Sequence, residues 1–112
     1  MEIRFDDRQV LVTGAVRGIG QALVAGFRAS GAVVWAADIE ADLLDAMAAP
    51  GVLPRVCDVT DPAAVAALVA EIEDAGPLHV AIHAAGGVRS RFRTPVENVT
   101  DEDWRVIQAV NV

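Results

Sequence analysis

Residues 10–20, VLVTGAVRGIG, decide the fold. Val10, Leu11 and Val12 form an apolar, largely β-branched run of the kind a strand carries when both of its faces are covered. Thr13 and Gly14 end the run. Gly18 and Gly20 then open a segment that carries Leu23, Val24 and Phe27 at helical spacing. A strand that enters a helix through a glycine-rich turn aims backbone N–H groups, and the positive end of the helix dipole, at one point, which suits a phosphate. The glycines divide the work. One allows the tight turn, one lets a diphosphate come close to the backbone, and one lets the helix approach the strand. Glycine also punctuates ordinary βα turns, so the rest of the chain has to separate the two readings.

Working outward, Ser30-Gly31 stops the first helix, and residues 32–37 (AVVWAA) read as a second buried strand ending at Asp38. Residues 40–49 read as a short helix closed by Pro50-Gly51. Residues 52–57 read as a third strand, and Pro54 inside it predicts a sheet edge, because proline has no N–H to give to a ladder. Asp61-Pro62 is a helix start, an N-cap followed by proline, with Val65, Leu68, Val69 and Ile72 on the buried face and Gly76-Pro77 at the end. Residues 78–84 read as a fourth strand. Residues 88–99 read as a solvated loop containing Arg89, Arg91 and Arg93. Thr100 to Asp103 start a further helix with Trp104, Ile107 and Val110 on its buried face.

Strands alternating with helices imply right-handed βαβ crossovers. The expected fold class is therefore α/β, a Rossmann-type doubly wound parallel sheet in the order 3-2-1-4. Residues 1–112 are read as a single, partial dinucleotide-binding domain that stops mid-helix.

Hydrophobic residues make up 54% of the chain, which argues against disorder. The net charge of −7 argues against nucleic acid and anionic membrane surfaces as partners. The first residues lack a signal-peptide core, and the longest apolar run, residues 63–70, is too short to span a bilayer. A single cysteine, Cys57, read as a small buried residue, fits a cytoplasmic location. The sequon at Asn98 is read as chance. His79 and His83 share a strand face but lack a third ligand type, so no metal site is expected. All nine basic residues are Arg; the chain contains neither Lys nor Tyr.

Thr13-Gly14-Ala15-Val16-Arg17-Gly18-Ile19-Gly20 resembles the TGxxxGIG cofactor motif of the short-chain dehydrogenase/reductase family. The resemblance continues in order through Asp38, Asp58-Val59, Ala85-Gly86 and Asn111-Val112. It implies hydride transfer between a nicotinamide cofactor and an alcohol or carbonyl substrate. Gly14, Gly18, Ile19 and Gly20 would hold the diphosphate, and Asp58 and Val59 the adenine. Asp38 would hold the adenosine ribose and repel a 2′-phosphate. Its plain alternative is a cap for the helix at Glu40, and that of Asp58 is a bond to nearby backbone N–H groups. Ile39 favours NAD, since relatives that use NADP often carry a basic residue near that position. Arg17 leans toward NADP. NAD is the expected cofactor, with Asp38 outweighing Arg17.

His83-Ala84-Ala85-Gly86 stands where the family has Asn-Asn-Ala-Gly. Ala85 and Gly86 keep the backbone approach to the cofactor ribose, whereas His83 departs from the pattern. Asn111 would support the proton relay to a catalytic Lys. The family's catalytic Ser and Tyr-x-x-x-Lys lie further along, so the expected parent is a homo-oligomeric enzyme and this chain alone is expected to be inactive. Two rivals are a non-catalytic nucleotide-binding or sensing module, and a chain stable only with a partner over its open edge.

Overall fold

The computed structural model describes residues 3–84. The readings of residues 88–99, of the helix from Thr100, and of Ala85, Gly86 and Asn111 lie outside the described residues. The element order is β1 (Gln9–Thr13), α1 (Gly18–Ala29), β2 (Val33–Asp38), α2 (Ala41–Asp45), β3 (Val52–Val56), α3 (Pro62–Ala75) and β4 (Leu78–His83). The strands are parallel and lie in the order β3-β2-β1-β4. This is the expected Rossmann-type sheet.

Strand periodicity divides the core in two. Val10 and Val12 of β1 and Val34 and Ala36 of β2 point to one face, where they pack with Val16 and Val24 and with Leu44 of α2. Leu11, Trp35 and Ala37 point to the other face, against Leu68 and Ile72 of α3. The central stretches of both strands, residues 10–12 and 33–37, are thus apolar because neither face is wet. Each aliphatic side chain buried this way contributes roughly 1.5–3 kcal/mol. β4 alternates half-buried with exposed residues, in keeping with its place at the rim of the described sheet. Pro54 sits on β3, the opposite rim, opposite Ala36 of β2, as its missing N–H requires.

Asp61 accepts hydrogen bonds from the N–H groups of Ala63 (3.0 Å) and Ala64 (3.4 Å), and Pro62 occupies the first helical position. The predicted helix over residues 40–49 is shorter than expected. Only Ala41–Asp45 is helical. The chain must reverse to feed β3, so Ala49 forms an antiparallel bridge with Val52 across a tight turn in which Gly51 takes φ +86. Leu44, fully buried, is the anchor of that short helix. None of the described helices is long and apolar enough to cross a membrane.

Gln9 is a polar residue inside this core that hydrophobic patterning passes over. Its amide nitrogen donates to the carbonyls of Ile72, Gly76 and Pro77, and its oxygen accepts from Trp35 Nε1 at 2.9 Å. One side chain thereby satisfies the Ile72 carbonyl in the last turn of α3 and the Gly76 and Pro77 carbonyls just beyond it, and ties them to the middle of the sheet. Its own backbone N–H donates to His79 Nδ1 at 3.1 Å, where the β1–β4 register skips His79. Arg55 stacks 5.0 Å over the Trp35 ring and pairs with Glu71 of α3, which holds the rim strand to the helix.

Candidate functional site

In a parallel sheet the carboxyl ends of all strands open on one edge. Ligands of such sheets bind in the crevice where the strand order reverses, here between β1 and β4. The glycine turn lies at that point. Gly14 has φ +72 and Gly18 φ +51, backbone geometries that side chains resist. A Cβ on Gly18 would meet nothing within 4 Å, so its outer side is open space. Gly20 serves the opposite purpose. A Cβ there would overlap the carbonyl oxygen of Gly14 and lie 2.7 Å from its carbon, so only glycine lets α1 sit against the turn. The turn is pinned to the sheet by the Ala15 N–H, which donates to the Ala37 carbonyl at 3.2 Å.

The start of α1 supplies no capping carboxylate of its own. Arg17 is its N-cap and supplies no side-chain acceptor, and no acidic residue lies in the first turn. Ile19 beside it is 76% exposed. An uncapped helix start, a glycine with open space before it and an exposed apolar side chain together form a surface with hydrogen-bond donors and positive potential for an anion.

Asp38 ends β2 next to this turn. Its Oδ1 accepts from the N–H groups of Ile39 (2.7 Å) and Glu40 (3.2 Å), and its Oδ2 from Val16 at a long 3.4 Å. The carboxylate therefore shapes the entry to α2 and reaches back to the glycine turn. It is half-buried, and a carboxylate has about four acceptor directions, so its Oδ2 retains capacity toward a diol. Ile39 is exposed beside it.

The end of β3 is drawn to the same edge by the Cys57 N–H, which donates to the Asp38 carbonyl at 2.9 Å. Cys57 is buried, and burial above all, with Asp58 and Asp61 adding, pushes its thiol up and keeps it protonated. Asp58 Oδ1 accepts from both the N–H (2.9 Å) and the hydroxyl (2.7 Å) of Thr60, and Val59 is half-buried between them. At the end of β4, exposed His83 lies opposite Thr13, with its Nδ1 2.8 Å from the Thr13 hydroxyl. The structure thus gathers Gly14, Arg17, Gly18, Ile19, Gly20, Asp38, Ile39, Asp58, Val59 and His83 along one edge. Ala85, Gly86 and Asn111 lie outside the described residues.

Sequence reasoning passed over Glu40. The guanidinium of Arg17 meets its carboxylate with two bonds of 2.9 Å, Nε to Oε2 and Nη2 to Oε1. These bonds raise Arg17 further above its ordinary value and hold Glu40 below the usual carboxylate range. The available signal was positional, namely an acid two residues past Asp38, in a loop that the topology brings up to the glycine turn.

Comparison with known proteins agrees with this geometry. A family profile described as Enoyl-(Acyl carrier protein) reductase matches residues 14–112. Galactitol 2-dehydrogenase (L-tagatose-forming) of Cereibacter sphaeroides is 38% identical, over 97% of this chain and 43% of the relative. D-threitol dehydrogenase of Mycolicibacterium smegmatis is 33% identical, over 99% of this chain and 44% of the relative. The solved structure of a short-chain type dehydrogenase/reductase from Mycobacterium ulcerans superposes with a TM-score of 0.83 at 33% identity, covering 98% of this chain and 43% of that one. The chain spans less than half the length of these relatives.

Proposed function

The chain belongs to the short-chain dehydrogenase/reductase family, and on that premise we propose that it is the NAD(H)-binding part of an oxidoreductase acting on an alcohol or carbonyl. The observation that carries the reading is the glycine turn. Its positive-φ glycines, open space at Gly18 and uncapped helix start fit a diphosphate. Gly14, Gly18, Ile19 and Gly20 hold that diphosphate through backbone N–H groups and the helix dipole. Asp38 accepts from the adenosine ribose diol, Ile39 covers the ribose, and Asp58 and Val59 receive the adenine. His83 marks the β4 side of the crevice, and the family resemblance assigns Ala85 and Gly86 to the cofactor ribose.

When bound, the nicotinamide takes or gives a hydride. The part of this chain is to bind the dinucleotide, orient it across the crevice and reject a 2′-phosphate. A negative charge brought beside the Asp38 carboxylate is repelled in a partly desolvated setting, and this favours NAD over NADP. Asn111 positions the relay of a proton, while the proton donor itself is a Tyr assisted by Lys in the family. With neither residue present, the 112-residue chain binds cofactor and turns over nothing on its own. The substrate class is a small hydroxyl-bearing molecule, supported by relatives named for galactitol and D-threitol. A buried, protonated lone cysteine fits a reducing cytoplasm. A homo-oligomeric parent remains part of the reading.

The test is calorimetric titration with NADH and NADPH. NADH binds more tightly, Gly18→Trp abolishes binding by filling the open space, and Asp38→Ala narrows the gap between the two. Each charge-assisted hydrogen bond lost contributes roughly 1.5–3 kcal/mol. Tighter binding of NADPH by the unmodified chain would refute the NAD assignment.

A further inference from the structure

Two features at the mouth of the crevice pull in opposite directions. Asp38 is an acid suited to a ribose diol. Arg17, in the glycine turn, is a cation suited to a 2′-phosphate. A protein with both would discriminate poorly unless one of them were engaged elsewhere.

The structure shows where Arg17 is engaged. Its guanidinium bridges from the β1–α1 turn to the β2–α2 loop and grips Glu40 through a two-bond fork with both distances at 2.9 Å. The fork occupies the Nε/Nη2 edge of the guanidinium, the edge that would otherwise grip a phosphate with the same two bonds. Glu40 is not employed as a helix cap, although it stands at the N-cap of α2, so its carboxylate is committed to Arg17. The backbone holds the pair in register. The Glu40 N–H donates to Asp38 Oδ1 and the Val16 N–H donates to Asp38 Oδ2, so one carboxylate fixes the backbone on both sides of the fork. The raised Arg17 and lowered Glu40 agree that the two charges satisfy each other, and Asp38 adds to the attraction on Arg17.

We propose that Glu40 is a specificity-determining residue that enforces NAD selectivity by clamping Arg17 and denying a 2′-phosphate its cation. This inference rests on the assignment of the crevice to a nicotinamide dinucleotide. Glu40 acts beside Asp38 and by a different route. Asp38 repels the phosphate, whereas Glu40 removes the group that would attract it. The pair is solvent-facing, with side chains 71% and 41% exposed, so it adds little to folding and the variants below keep the fold.

The experiment is a cycle of binding measurements with NADH and NADPH on the unmodified chain, Glu40→Gln, Arg17→Met and the double variant. Releasing Arg17 in Glu40→Gln tightens NADPH binding about tenfold, the effect expected of one uncompensated charge near a phosphate, and changes NADH by less than about threefold. Arg17→Met alone weakens NADPH by up to about tenfold, because it leaves the Glu40 carboxylate as an uncompensated negative charge near the phosphate. The double variant loses the gain of Glu40→Gln. Equal gains in Glu40→Gln and in the double variant would show simple repulsion by Glu40 and overturn the clamp, as would no gain in Glu40→Gln. Unmodified chain that binds neither dinucleotide overturns the cofactor reading and this proposal with it, whereas normal NADH binding with a flat cycle overturns the proposal alone.

Discussion

Two glycines on one helix should respond to alanine with opposite signs. Gly20 and Gly26 both lie within α1, where alanine is intrinsically favoured over glycine by about 1 kcal/mol. At Gly26 a Cβ meets nothing within 4 Å and the residue faces solvent, so Gly26→Ala should gain about 0.5–1 kcal/mol. At Gly20 the same methyl overlaps the Gly14 carbonyl oxygen. The carbonyl carbon, at 2.7 Å, must retreat by about 0.7 Å merely to reach ordinary contact at 3.4 Å. The obstacle is backbone, so no rotamer change relieves it, and the helix must lift from a turn that Ala15 bonds to the sheet. Overpacking of this kind costs about 1–3 kcal/mol, and against the helix gain the net loss should approach about 2 kcal/mol. For a domain of this size that lowers Tm by roughly 8–16 °C, while Gly26→Ala raises it by a few degrees. Thermal and urea unfolding followed by circular dichroism read both. Shifts of the same sign for the two variants would refute the claim that Gly20 is fixed by close approach.

Further outcomes follow from other contacts. Gln9→Leu should cost about 2–4 kcal/mol in urea unfolding, because the Trp35 indole N–H and the carbonyls at the end of α3 lose their partner; adding Trp35→Phe should recover part of the loss, and additive costs would contradict the shared network. Glu40 is held low by Arg17, so the small stabilisation it brings is present above its ordinary carboxylate pKa and is lost as pH falls through its depressed folded value. In an NMR titration Glu40 should move back up to the ordinary carboxylate range in Arg17→Met, and an unchanged midpoint would disprove the pairing. Cys57, buried and pushed up, should resist a thiol reagent at pH 8 until the chain unfolds in denaturant, and immediate labelling of the native protein would count against its burial.

The elements and the two-faced core could be read from the sequence because they depend on signals with a short period, and the strand order followed from the Rossmann-type alternation of strands and helices. The apolar runs of β1 and β2, the proline in β3 and the Asp61-Pro62 helix start each act within a few residues. Residues 40–49 misled because a run of alanines and leucines at helical spacing says nothing of the reversal that Gly51 makes. Gln9 and Glu40 were missed for a different reason. Each is an ordinary polar residue whose importance lies in partners at least 23 positions away along the chain. Asp38 stands at the end of β2 where the strand pattern put it, yet its bond to Val16, which ties β2 to the glycine turn, is a tertiary fact.

The central claim is that the glycine turn and the end of β2 receive a nicotinamide dinucleotide. Its most direct test is titration of the ¹⁵N-labelled chain with NAD, followed by amide chemical shifts. The account predicts saturable shifts concentrated at Gly14, Gly18, Ile19 and Gly20 and at Asp38 and Ile39, with the amides in the middle of α3 little changed. Shifts that do not saturate, or that centre on α3 while the glycine turn stays still, would contradict it.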